Sequence, residues 1–249
     1  MAECIKIDNL SKTFKTKENF EVKALEDINI SVEENDFICI VGPSGCGKST
    51  LLRIVASLET ATQGKVIYRD REIIEPTSDI GMVFQNYSLL QWRTVIDNIA
   101  LGLEFRGVGK KERRETAREY LKLINMESFE KAYPYELSGG MQQRVAIARA
   151  LVNNPDVLLM DEPFGALDAH TRIILQEELL RIWETHKKTI LFVTHSVDEA
   201  VYLSDKIIVM GKNPGIIKEV INVDIDRPRD RANPEYGKLT SRILKMLEH

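Results

Sequence analysis

Cysteine is scarce in this chain, and the three present, Cys4, Cys39 and Cys46, neither pair evenly nor stand at metal-ligand spacings. That excludes a disulfide framework as the source of stability and points to reduced thiols. Long apolar runs are missing as well. No stretch approaches the roughly 20 consecutive apolar residues that span a bilayer, and Met1-Ala2-Glu3-Cys4-Ile5-Lys6 carries neither the basic nor the apolar region of a secretion signal. The expected location is the cytosol, with any membrane role supplied through a partner protein. Nor is there an excess of positive charge: 34 lysines and arginines face 38 acids, a formal net charge of −4. A broad basic footprint is therefore absent, and no nucleic-acid partner is expected. With 43% apolar and 29% charged residues over 249 positions, the composition is that of a globular protein able to bury a substantial core.

Apolar runs short enough for buried strands recur at Phe37 to Val41, Val157 to Met160, Thr189 to Val193 and Lys206 to Met210, with helical patterns between them. This alternation predicts an α/β fold with a mostly parallel sheet covered on both faces. Glu3 to Ile7, Ile28 to Val32 and Lys65 to Tyr68 read as strands separated by polar turns, an N-terminal antiparallel β edge. From about Gln85 to Asn154 the pattern becomes helical, notably over the charged Lys110 to Ile124, before the sheet resumes at Val157. The expected organisation is one domain over 1–249: a nucleotide-binding core (1–84 and 155–214), an inserted α-helical subdomain (85–154) and a short extension (215–249). That extension reads as one strand, breaks at Pro228 and Pro234, and a helix from Pro234 onward.

Gly42-Pro43-Ser44-Gly45-Cys46-Gly47-Lys48-Ser49-Thr50 fits the phosphate-loop pattern G-x-x-x-x-G-K-[ST], and it stands between an apolar strand and a helical segment, as that loop requires. Glycines permit tight backbone curvature, amides point inward, and the helix N-terminus adds a positive dipole where phosphate sits. Lys48 is placed to pair with β and γ oxygens, and the Ser49 hydroxyl to ligate Mg²⁺. Alkylation of Cys46, inside the loop, is expected to block nucleotide binding, with a bound nucleotide protecting the thiol. Val157-Leu158-Leu159-Met160-Asp161-Glu162 is an apolar strand ending in two acids, an awkward place to desolvate charge unless a metal lies near. Asp161 is the expected Mg²⁺ ligand, and Glu162 the group that polarises an attacking water. His195, just past the end of another strand, stands where α/β sheets bind ligands and is expected to reach the γ phosphate or that water.

Leu137-Ser138-Gly139-Gly140-Met141-Gln142-Gln143-Arg144 looks like a second phosphate-binding helix start. One nucleotide does not need two cradles from one fold. The simplest arrangement has two copies of the chain facing each other, each donating Ser138, Gly139 and Gly140 to its partner's nucleotide.

With this octapeptide lying between the phosphate loop and the apolar-acidic strand, the chain resembles the ATP-binding subunits of ABC transporters. The resemblance implies a P-loop NTPase (RecA-like) core, ATP and Mg²⁺ as ligands, and ATP hydrolysis. It identifies Gly42 to Thr50 with Walker A, Gln85 with the Q-loop, Leu137 to Gln142 with the signature, and Val157 to Asp161 with Walker B. Glu162 then corresponds to the catalytic base, Gly165 to Asp168 to the D-loop and His195 to the switch histidine. Gln85 is thereby expected both to contact Mg²⁺ and to take part in hydrolysis. Met141 stands where Gln is more usual, which leaves Ser138, Gly139 and Gly140 untouched. The adenine-stacking aromatic falls at Phe14, with Phe20 a competitor because Lys15 to Phe20 lengthens the following turn.

The narrower likeness is to importers of the nitrate, sulfonate and taurine group, through Val83-Phe84-Gln85, Leu89 to Val95, Asn98 to Glu104, Glu162 to Asp168 and Arg227-Pro228-Arg229-Asp230-Arg231. Gln91 stands where many members of that group carry Pro. Membership implies integral-membrane permease partners, an extracytoplasmic solute-binding protein acting indirectly, and a peripheral position at the cytoplasmic face of the membrane. Gln85, Tyr87, Leu89, Leu90 and Trp92 are then either a groove for a short permease helix or core of the helical insertion. The alternative reading is a soluble ABC ATPase without a permease. Translation-type members usually carry two cassettes and repair-type members long coiled coils, neither of which this sequence contains.

Overall fold

The computed structural model describes residues 2–15 and 20–248. The chain forms two compact units, Met1–Thr77 with Thr189–His249, and Ser78–Lys188. The first opens with two long strands, β1 (Glu3–Lys15) and β2 (Glu21–Glu33), paired antiparallel. Ile5, Ile7 and Leu10 on β1, and Ile28, Ile30 and Val32 on β2, are buried. Both strands run well beyond the expected apolar stretches, because Thr13 to Lys15 pair with Glu21 to Lys23 across ends that no apolar alternation marks. β3 (Phe37–Val41) is buried at every residue and leads through a glycine loop into α1 (Lys48–Val55). β4 (Gln63–Tyr68) and β5 (Arg71–Glu72) complete a four-stranded antiparallel sheet in the order β2-β1-β4-β5, the expected β edge.

The second unit begins at β6 (Ile80–Val83), continues through α2 (Val95–Ile99), α3 (Leu101–Phe105), α4 (Lys110–Leu123) and α5 (Gly139–Leu151), and then returns to strand at β7 (Val157–Asp161), parallel to β6. α6 (Ala169–His186) follows, its N-terminus capped by the Asp168 carboxylate. α4 buries only Ala117 and Leu121, so its charged sequence describes a surface helix. Asn98 is fully buried and acts as a staple: its amide donates to the carbonyls of Leu90, Arg93 and Thr94, and its oxygen accepts from Leu90 N at 2.8 Å. The loop preceding α2 is thereby fixed to the helix by polar contacts in addition to its buried Leu89.

Returning to the first unit, β8 (Thr189–Thr194) and β9 (Lys206–Met210) flank β3 in parallel, with α7 (Val197–Leu203) between them. These strands read as continuous apolar runs because both faces are covered. β10 (Ile217–Asn222) adds antiparallel to β9, and α8 (Pro234–Glu248) ends the described chain. Among the described residues no helix is long and apolar enough to cross a membrane.

Candidate functional site

In the first unit, β3 delivers the chain into residues 42–47, and the loop turns sharply enough that Gly47, capping α1, sits at φ 92. A side chain there would meet Leu25 and the Ala24 carbonyl within 2.8 Å, so only glycine fits. Ser44 and Gly45 form an exposed rim, Pro43, Ser49 and Thr50 are half-buried, and Cys46 and Lys48 form the buried floor. The Lys48 ammonium curls back over the loop, donating to the Gly42 carbonyl at 2.8 Å and the Pro43 carbonyl at 3.1 Å. Its close acceptors are the neutral carbonyls of Gly42 and Pro43, with no carboxylate among them, so the ammonium is suited to phosphate oxygens. The Cys46 thiol lies against Gly42, where a methyl group would meet the sulfur at 2.6 Å. Burial pushes this thiol's pKa up against the pull of Lys48. The Cys46 side chain lies on the floor, away from the rim, so alkylation there requires the loop to move.

His195 is exposed at the end of β8, and the peptides around it are fixed. Thr194 Oγ1 accepts from Ser196 N at 3.0 Å and donates to the buried Glu199 carboxylate at 2.5 Å, while Ser196 Oγ caps Glu199 N at 3.3 Å. Phe14 is 37% exposed near the end of β1, with the Lys12 ammonium 4.7 Å from its ring centroid, and Phe20 is 67% exposed. The expected lengthened turn includes residues 16–19, which lie outside the described residues.

In the second unit, Gln85 is exposed just after β6 and its amide nitrogen is 3.4 Å from Glu162 Oε2. Asp161 is buried at the end of β7. Glu162 follows at φ 44, a left-handed conformation that a residue with a side chain adopts at a cost of roughly 1 to 3 kcal/mol. Tyr87 and Ser88 are likewise left-handed, at φ 54 and 51. Leu89 is buried and belongs to the core, whereas Trp92 is 74% exposed and does not. Ser138 caps α5, accepting from Met141 N at 3.4 Å, and the first turn of α5 holds no acidic residue to offset its positive end. Ser138 and Gly139 are exposed and Gly140 is buried.

Arg149, on α5, is a residue the sequence reading passed over. It donates at 2.6 Å to the carbonyls of both Tyr87 and Ser88, holding the loop that bears Gln85, and burial lowers its pKa. The one signal was an arginine between alanines on a largely buried helix. Thr194 and Glu199 were also passed over, being unmarked by any spacing.

A glycine loop with a buried lysine, a strained acid after an apolar strand and a serine-capped glycine helix start are the parts of one class of protein, the ATP-binding cassette ATPases. Residues 25–165 match the profile of the ABC transporter family. The chain is 55% identical over 244 residues to an uncharacterized ABC transporter ATP-binding protein of Methanocaldococcus jannaschii, covering 98% of this chain and 91% of that one. It is 46% identical to the aliphatic sulfonates import ATP-binding protein SsuB of Bacillus thuringiensis subsp. konkukian, and 43% identical to the taurine import ATP-binding protein TauB of Rhizobium johnstonii. Each match covers 98% of this chain and 96% of the relative. Among solved structures, the dimeric post-hydrolysis state of an ATP-binding cassette bound to ADP and Pi aligns with TM-score 0.79 at 35% identity, over 88% of this chain and 98% of that one. The chain belongs to the ABC transporter family, as an ATP-binding subunit that hydrolyses ATP with Mg²⁺.

Proposed function

We propose that two copies of this chain close on two ATP molecules, each nucleotide held by Gly42 to Thr50 of one copy and Ser138 to Gly140 of the other, and so drive solute import through an ABC permease of the sulfonate and taurine type. The observation that carries this reading is the exposed, serine-capped start of α5 with no acid in its first turn, a helix end suited to a second anion in a chain that already has a phosphate loop. The likeness to the sulfonate and taurine import ATP-binding proteins supports import, and the dimeric structural neighbour supports a dimeric cassette.

Within each site, Lys48 offsets charge developing on the β and γ oxygens. The Ser49 hydroxyl, the Asp161 carboxylate and the Gln85 amide oxygen are hard donors suited to Mg²⁺ and would hold it. Bound there, the metal supplies charge neutralisation at the phosphates. Glu162 orients the attacking water and takes its proton, aided by the Gln85 amide beside its carboxylate. His195 stabilises the γ phosphate as it departs, and Phe14 or Phe20 stacks on adenine. Residues 1–249 act as one cassette, with 1–84 and 155–214 as core, 85–154 as helical subdomain and 215–249 as extension. Exposed Trp92 offers a docking point for a permease helix at the cytoplasmic face of the membrane, and an extracytoplasmic binding protein selects the solute.

The sandwich is tested with Glu162→Gln, which retains binding and slows hydrolysis. Size-exclusion light scattering in saturating Mg-ATP should show the mass of a dimer, and a monomer under those conditions overturns it. Import is tested in proteoliposomes holding the permease and binding protein encoded beside this chain. Taurine or an alkanesulfonate should stimulate ATP hydrolysis, and no stimulation by either favours the alternative, an ABC ATPase without a permease of this type.

A further inference from the structure

Helix α7 is fastened at both ends by the C-terminal segment, and His195 sits immediately before its capping residue. A helix leaves its last carbonyls without partners inside the helix. Here the carbonyls of residues 201–204 are all taken by two arginines. Arg229 Nη1 donates to Val201 O at 2.8 Å, Tyr202 O at 3.2 Å and Ser204 O at 2.6 Å, and Arg227 Nη2 donates to Leu203 O at 2.6 Å. Two cations at the negative end of the helix complement its dipole as well as its hydrogen bonds. Arg229 is only 5% exposed, and burial together with the nearby Arg227 pulls its pKa down to about 10.

The same segment grips the first turn. The Tyr236 hydroxyl lies 2.8 Å from the Asp198 carbonyl and 2.7 Å from its carboxylate, and Arg231 reaches that carboxylate at 3.2 Å. Between these grips, the Thr194 to Glu199 hydrogen bond and the Ser196 cap fix the peptides on either side of His195 to α7. The imidazole is exposed while its mount is rigid, so the place from which it reaches is set by where α7 is held.

We infer that residues 227–236 form a strap that aims His195, with Arg229 and Tyr236 as positioning residues for ATP hydrolysis. The inference rests on the role given to His195 above. It assigns the C-terminal extension a part in turnover: a displaced strap moves α7, and with it the histidine, while the phosphate loop and nucleotide binding stay as they were.

The test measures kcat and KM for ATP, with thermal midpoints, for Tyr236→Phe and Arg229→Lys in the parent and in a His195→Ala background. Tyr236→Phe removes one hydroxyl, and Arg229→Lys keeps a cation but loses the fork whose Nε and Nη2 also reach Ile225 O at 2.9 Å and Val223 O at 3.4 Å. Each should lower kcat by about three- to ten-fold with KM unchanged, and should have no further effect once His195 is alanine, since residues acting through one group are not additive. Parental kcat in Tyr236→Phe, or an equal drop in the His195→Ala background, overturns the strap. If Arg229→Lys fails to fold, Tyr236→Phe decides alone. Parental turnover in His195→Ala itself instead overturns the role of His195, a separate and distinguishable outcome.

Discussion

Arg149 Nη2 donates a 2.6 Å hydrogen bond to the carbonyl of Tyr87, and a second bond of the same length runs from its Nη1 to Ser88. The loop that carries Gln85 is thereby tied to α5, the helix whose other end presents Ser138 and Gly139. Tyr87 and Ser88 are both left-handed, which costs of order 1 kcal/mol or more each unless the surroundings hold them. Arg149→Met removes the holder and leaves two carbonyls without their donor. Unfolding in urea should show a loss of about 2 to 3 kcal/mol, together with a fall in ATP hydrolysis as Gln85 loses its place. An unchanged urea midpoint would show that the loop holds its shape without Arg149.

The Gln85 amide nitrogen stands 3.4 Å from Glu162 Oε2 and donates to that carboxylate. If the two act together on one water, removing either removes much of what the other contributes. Gln85→Ala should lower kcat by roughly ten-fold while ATP still binds, and Gln85→Ala with Glu162→Gln should be little slower than Glu162→Gln alone, a coupling of about 1 kcal/mol or more. Single-turnover rates across this double-mutant cycle decide it, and strict additivity would separate the two roles.

Cys46 is sealed beneath its loop, with its sulfur against Gly42 and 3.9 Å from the Lys48 ammonium. Because the thiolate is the reactive form and burial disfavours it, iodoacetamide should modify Cys46 in the native protein more than about ten-fold more slowly than in the urea-unfolded chain. ATP should change that rate little, since the closed floor already shields the sulfur. Site-resolved mass spectrometry distinguishes Cys46 from Cys4 and Cys39, which are buried too. Rapid native labelling at Cys46, suppressed by ATP, would show that the loop opens to expose the thiol.

These contrasts mark where sequence reading works. Gly42 to Thr50 and Leu137 to Arg144 were legible because each function sits in a few consecutive residues whose backbone needs dictate their identity. The apolar strands were legible because a sheet covered on both faces needs unbroken Val, Ile and Leu. Arg149 was not, because its partners are carbonyls 61 and 62 residues away, and a carbonyl leaves no mark on a sequence. Arg227 and Arg229 were read as subgroup markers, and only the path of the chain around α7 shows what they bind. The floor position of Cys46 was hidden for a related reason: the direction of a loop side chain follows from backbone angles that residue types constrain only loosely. Even the break between α2 and α3 at Ala100 leaves no Gly or Pro to announce it.

Asp97 gives the second unit a pH dependence whose direction follows from its partners. The Arg114 guanidinium grips the carboxylate at two points, Nε to Oδ1 at 2.9 Å and Nη2 to Oδ2 at 2.7 Å, and the Thr94 hydroxyl donates at 3.1 Å. The hydrogen bond from Arg114, chiefly, holds the Asp97 pKa below its ordinary 3.8. Because the folded-state pKa lies below the unfolded one, the unfolded chain binds the proton more tightly. The stabilisation is therefore fully present above about pH 4 to 5 and is lost as pH falls through the ordinary carboxylate range toward the depressed value. Asp97→Asn should cost on the order of 1 kcal/mol near pH 7, where the two-point ion pair is intact. Urea midpoints at pH 7, 5, 4 and 3 should show the gap between parent and variant closing at the acid end. A gap that stays constant down to pH 3 would mean that the loss comes from packing at position 97 and not from its charge.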